Sequence, residues 1–232
     1  MDEEFYQGKA YYLRNFPDVS MWRNRVITGE GSPNYIRTPQ VAPRVKNMFP
    51  DTKFILTLRE PGTRFQSHWV GKKDLHIQPF ASMSCEEAWN SSVAAYEKCI
   101  QDDSKLNCEK KLHENAVVRG IYLPQIEHWL KYFPPEQFLI IQAETMFDNI
   151  THVMQVAAKF LGIRPYNEEE LASLHSAKTG SAHHDEPLAR ECDHLRERMN
   201  QFYAEPNRRL KRFIETRFPD VASQWLKGWS GM

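Results

Sequence analysis

The sequence has no net charge: 30 Lys and Arg balance 30 Asp and Glu. A chain without a global field has no long-range attraction to DNA or to an anionic membrane surface, so nucleic acid is not an expected partner. Local basic groups can still bind an anionic substrate. There is no apolar run long enough to cross a bilayer, and Met1 is followed by acidic residues where a signal peptide would be basic and then apolar. Read literally, that predicts a soluble, non-secreted chain. No cysteine or histidine cluster has zinc spacing, so no metal is expected. A phosphate loop of the Gly-x-x-x-x-Gly-Lys kind is also missing. Internal repeats, low-complexity segments and interdomain linkers are lacking too, which predicts a single domain over residues 1–232.

What is present suits a globular protein. Apolar residues make up 41% and charged residues 26% of 232, enough for one full core. The four cysteines, Cys85, Cys99, Cys108 and Cys192, allow three fully paired connectivities. Cys99 and Cys108 flank a polar segment that reads as a loop. A bridge there would stabilise by roughly 2–3 kcal/mol in an oxidising compartment; four reduced thiols fit the sequence equally. Asn90-Ser-Ser and Asn149-Ile-Thr are glycosylation acceptor patterns and point the other way from the missing signal peptide.

The informative stretch is Lys53–Trp69. Residues 53–58 are a short apolar run with β-branched and aromatic members, the pattern of a buried strand. Arg59 falls at its carboxyl end, where open α/β sheets place their ligands. Pro61 and Gly62 turn the chain into a helix, with Ser67 expected early in it. A guanidinium at a strand end and a hydroxyl near a helix start can converge on one phosphate. The bland alternative is an arginine salt-bridged beside a serine cap.

Other elements follow from periodicity. Residues 3–17 read as an aromatic-rich helix ended by Pro17, 25–30 as a short strand, and 39–48 as a helix with Val41, Val45 and Met48 on one face. Strand, helix, strand makes a βαβ unit, so a parallel sheet is expected. Gly71 begins a polar excursion whose Lys72, Lys73 and His76 either rim a cleft for sulfate or carboxylate groups or form a solvated charge run. Residues 115–133 read as one helix, 138–142 as a strand, and 143–162 as a helix closed by Phe-Leu-Gly. Residues 174–183 read as a polar, flexible, basic loop, followed by a closing amphipathic helix.

The string of strand, Arg59-Glu-Pro, Arg64 and Ser67 resembles the 3′-phosphate-binding segment of sulfotransferases that use 3′-phosphoadenosine 5′-phosphosulfate (PAPS). The resemblance covers nearly the whole chain in order and is closest in pattern to the Golgi heparan sulfate sulfotransferases. Arg119-Gly-x-Tyr122 resembles the helix after the acceptor loop, and Phe202–Leu210 the family's closing element. It implies an α/β fold, a three-layer parallel sheet flanked by helices of the P-loop nucleotide-binding type. PAPS is implied as co-substrate, held by Arg59, Ser67, Tyr122 and the loop residues Lys178, Gly180 and His183. Ser181 stands in that loop where the family usually has arginine. The implied acceptor is a hydroxyl or amine, most naturally of a glycosaminoglycan-like carbohydrate.

Two departures matter. The turn Gly31-Ser32-Pro33-Asn34-Tyr35 has Gly31 where the family carries a reaction-centre lysine, which leaves Glu30 as a weak catalytic candidate, or as a strand-closing partner of an arginine. The family's phosphosulfate loop and glutamate base would lie upstream of everything seen here. The sequence therefore reads as an N-terminally incomplete domain without its first strand, with Golgi residence and a membrane anchor belonging to the complete protein. A cytosolic small-molecule sulfotransferase and a non-catalytic PAP or glycan binder are the alternatives.

Overall fold

The computed structural model describes residues 8–17, 26–32, 34–176, 187–219 and 228–229. Its centre is a pair of parallel strands, β1 (Phe54–Leu58) and β2 (Phe138–Gln142), in register from Phe54 opposite Phe138 to Leu58 opposite Gln142. Both strands are short apolar runs, and all five residues of β2 are buried. A strand's side chains alternate between faces, and β2 shows it. Phe138 and Ile140 pack with Leu58 against helices on one face, while Leu139 and Ile141 pack on Val153 and Ala157 on the other. Helix, sheet and helix form three layers, as expected.

In chain order the helices are α1 (Gly8–Leu13), α2 (Val41–Met48), α3 (Pro61–Asp74), α4 (Cys85–Asp102), α5 (Lys105–Lys111), α6 (Leu123–Trp129), α7 (Ala143–Asp148), α8 (Ile150–Leu161), α9 (Glu168–Ser176) and α10 (Arg196–Arg217). Helix α3 begins where Pro61 supplies a pre-set φ and the Glu60 carboxylate accepts from the backbone N–H groups of Gly62 (2.9 Å) and Thr63 (2.6 Å). Its inner face, Phe65, Trp69 and Val70, is wholly buried against Trp89 of α4 and Met199 and Tyr203 of α10. Burying side chains of this size contributes roughly 1.5–3 kcal/mol each, so α3 is firmly seated between sheet end and core.

Several expectations are corrected. Residues 26–30 form no strand; Val26 and Ile27 are 46% and 53% exposed, and no described strand lies beside them to complete a ladder. Helix α3 continues through Gly71 to Asp74, so the polar excursion starts later, because Trp69 and Val70 anchor that turn. The expected helix over 115–133 is a single 3-10 turn (Val118–Gly120) followed by α6. Asn115 Oδ1 accepts from Val117 and Val118 N–H, and Pro124 has no N–H to give a continuous ladder. The helix of 143–162 is interrupted at Asn149, whose Oδ1 caps α8 by accepting from His152 N–H (3.0 Å). The segment between Cys99 and Cys108 holds the end of α4 and the first turn of α5, capped by Ser104. Leu174–Ser176 belong to α9, and Phe202–Leu210 lie within α10, which carries Pro206 in its interior.

The cysteines form two bridges, Cys99–Cys108 and Cys85–Cys192, the second spanning 107 residues. No described helix is long and apolar enough to cross a membrane.

Candidate functional site

The carboxyl ends of two parallel strands meet here, and each is followed within two residues by a charged group. Arg59 follows β1 and Glu144 follows β2. Glu144 accepts from the backbone N–H of Glu60 (2.8 Å) and from the indole N–H of Trp229 (3.2 Å), which ties the two strand ends together. The half-buried Arg59 guanidinium lies 5.8 Å from the Phe147 ring centre. Burial destabilises its cation, and the nearby Glu144 charge offsets part of that, so its pKa sits below the ordinary arginine value. A partly desolvated guanidinium gains more from an anion than one in water does.

Tyr122 is brought to the same place. Its buried hydroxyl donates to the Arg59 carbonyl oxygen (2.8 Å), and burial raises the phenol pKa. Tyr122 therefore fixes the backbone on which Arg59 stands. Ser67 is half-buried in the second turn of α3, which starts at Pro61. The cap at the helix start is Glu60. Lys178, Gly180 and His183 lie outside the described residues.

Glu30 belongs to a separate cluster, away from any arginine partner among the described residues. It accepts from the hydroxyls of Tyr12 (2.7 Å) and Ser32 (2.7 Å), and Tyr35 bonds to it as well. Burial works to raise its pKa, but the three hydroxyl donors outweigh burial and leave it lowered. A carboxylate so satisfied is a weak proton acceptor at neutral pH. Of the three side chains expected in the polar excursion, Lys73 donates to the Met83 carbonyl (3.1 Å) and lies over the Trp69 ring, while His76 is exposed at positive φ.

Sequence reasoning missed a basic cluster beside Ser67. Arg64, His68 and Lys72 recur at four-residue intervals along α3, and Arg37 and Arg119 join them from other segments. The periodic spacing in α3 was visible in the sequence. Arg37 and Arg119 were hidden because folding, not sequence order, brings them to one carboxylate, Glu114.

The chain resembles known proteins in sequence and in fold. A family model described as the sulfotransferase domain matches residues 28–220. Heparan sulfate glucosamine 3-O-sulfotransferase 5 of Mus musculus is 30% identical over 164 residues, 71% of this chain and 43% of that protein. The bifunctional heparan sulfate N-deacetylase/N-sulfotransferase 3 of Homo sapiens is 31% identical over 176 residues, 75% of this chain and 19% of that protein. The chain thus spans less than half the length of these curated relatives. The crystal structure of a sulfotransferase from Alicyclobacillus acidocaldarius superposes with a TM-score of 0.60, covering 92% of this chain and 74% of that one, at 23% identity. It shares the α/β fold. With the family match running over most of its length, this chain belongs to the sulfotransferase domain family.

Proposed function

We propose that this chain is the nucleotide-binding and acceptor-binding part of a PAPS-dependent sulfotransferase acting on a hydroxyl or amine of a glycosaminoglycan-like carbohydrate. The observation that carries the reading is Arg59 at the carboxyl end of β1, followed at once by the capped helix α3 with Ser67. Arg59 and Ser67 would hold the 3′-phosphate, Tyr122 would position Arg59, and Lys178, Gly180 and His183 would cover the nucleotide. In the reaction the acceptor atom attacks sulfur in line, the bond from sulfur to the 5′-phosphate oxygen breaks, and the acceptor proton passes to a base. Arg59, on the 3′-phosphate, would contribute binding and orientation. Glu30, already satisfied by three hydroxyls, suits orientation of an acceptor hydroxyl better than proton abstraction.

Two bridges, Cys85–Cys192 and Cys99–Cys108, with Asn90 and Asn149 both exposed, support a lumenal, Golgi-type compartment over a cytosolic one. The test is thermal unfolding with added nucleotide. PAP should raise the midpoint by mass action, by about 2.7 kcal/mol of stability at a hundredfold excess over its dissociation constant. A midpoint unmoved by millimolar PAP overturns the reading.

A further inference from the structure

The turn from Glu114 to Arg119 is gripped by three guanidinium groups from three parts of the chain. Arg37, which follows the Ser32–Tyr35 turn, pairs with Glu114 Oε1 and donates from Nε to Asn34 Oδ1 (3.2 Å). Arg119 donates from Nη2 to the other oxygen of Glu114 (2.9 Å). Arg64 of α3 donates to the Ala116 carbonyl oxygen. The Arg37 and Arg119 side chains are only 10% and 18% exposed, whereas Glu114 is 64% exposed, so the cluster is buried at its cationic end and opens to solvent beside its single carboxylate.

The cations outnumber their counter-charges: among the described residues Glu114 is the carboxylate that Arg37 and Arg119 share, and Arg64 meets a neutral carbonyl. Arg64 Nε and Arg119 Nε are buried with no hydrogen-bond partner among the described residues. Leaving a charged donor desolvated and unpaired is costly. Lys72, two helical turns along α3 from Arg64, forms no ion pair among the described residues and extends the same face. His68 lies between them, and its neighbours respond to the same surplus. Burial first, then the charges of Arg64, Arg119, Lys72 and Arg37, hold its imidazole down to about 3. Burial and then Arg37 likewise lower the Arg119 pKa, partly offset by Glu114. Such a surplus of partly buried positive charge favours an anion as its partner.

We infer that Arg37, Arg64 and Arg119, with His68 and Lys72 on the adjoining face of α3, form a second oxyanion site that takes a sulfate or carboxylate group already on the acceptor. This rests on the sulfotransfer reading and adds to it the side chains that meet the acceptor's own charge, which would set the position along the glycan that meets the nucleotide. A phosphate of PAPS offers the same chemistry, so the test must separate the two sources.

Calorimetry on wild-type protein, Arg37→Gln, Arg119→Gln and Lys72→Ala should use three titrants: a sulfated heparan oligosaccharide, its desulfated and carboxyl-reduced form, and PAP. Thermal unfolding of each variant is recorded alongside, and Lys72→Ala, at the end of α3, keeps the test sound if an arginine variant folds poorly. Wild-type protein should prefer the charged oligosaccharide, and each folded variant should lose about tenfold of that affinity, as expected for a charge-assisted contact, with PAP binding retained. The His68 imidazole pKa, followed by NMR, should rise when the charged oligosaccharide binds. An equal loss of PAP affinity would assign the cluster to the nucleotide and overturn the inference. So would unchanged oligosaccharide affinity in every folded variant, or a wild type indifferent to charge on the oligosaccharide. Wild-type protein that binds no PAP defeats the sulfotransfer reading instead.

Discussion

Adding one methyl group at Gly120 should disturb both the core and the site. A Cβ built there would lie 2.9 Å from both Cε1 and Oη of Tyr203 and 3.0 Å from Cβ of Pro61. Apolar atoms pack at about 3.5–4.0 Å, so the overlap is roughly half an ångström or more. Neither neighbour can easily yield. Tyr203 is fully buried, its hydroxyl donates to the Val117 carbonyl (2.9 Å), and its ring is held between Trp89 and Phe202 at 5.9 and 5.0 Å. Pro61 is the first residue of α3. Overpacking of this kind costs about 1–3 kcal/mol, and losing the tyrosine hydrogen bond adds roughly 1 kcal/mol. Gly120→Ala should therefore lose about 2–4 kcal/mol, read as a drop of about 1 M in the urea midpoint at unchanged slope. In a Tyr203→Ala background the same change should cost at least roughly 1 kcal/mol less, since its clash partner is gone. A Gly120→Ala protein within about 0.5 kcal/mol of wild type, or a strictly additive pair, refutes the packing argument.

The two disulfides should differ in worth. Breaking Cys85–Cys192 as a pair of alanines releases a 107-residue loop and should cost about 4.7 kcal/mol, against roughly 2–3 kcal/mol for Cys99–Cys108; comparable losses in denaturant titrations would contradict the loop-length account. For His68 the sign follows from its depressed value. The unfolded chain takes up a proton near 6.5, whereas the folded protein, with His68 at about 3, does not. Stability from this residue is complete above the unfolded value and declines as pH falls from 6.5 towards 3. His68→Gln should flatten the urea midpoint between about pH 7 and pH 5; an unaltered slope would mean that another group titrates there.

The sequence exposed the parts whose signal is local. β1 and β2 each carry four apolar residues in five, and Pro61 brings the pre-set φ that starts α3, whereas the Glu60 cap was not read from the sequence. The place of Arg59 at the carboxyl end of β1 was legible because the apolar run stops at Leu58. Local pattern failed where distant partners decide the outcome. The stretch at 26–30 has strand-like residues but no neighbouring strand among those described, and the helical periodicity across 115–133 hid the competing bonds of Asn115 and the missing donor of Pro124. Polar composition concealed α5, whose buried Cys108 and Glu109 are held by the Cys99 bridge and by Arg209 and Tyr96. Likewise the convergence of Arg37 and Arg119 on Glu114 joins residues 82 positions apart (119 minus 37), which no spacing rule reveals.

The most direct test of the central claim is the recognition of the 3′-phosphate by Arg59. Calorimetry should compare PAP with adenosine 5′-phosphate, which lacks that group, on wild-type protein and on Arg59→Ala. Wild-type protein should bind PAP at least about tenfold more tightly, since a charge-assisted contact contributes about 1.5–3 kcal/mol. Arg59→Ala should bind the two nucleotides alike, with Ser67→Ala intermediate. An Arg59→Ala protein that still prefers PAP by the wild-type margin would contradict the account.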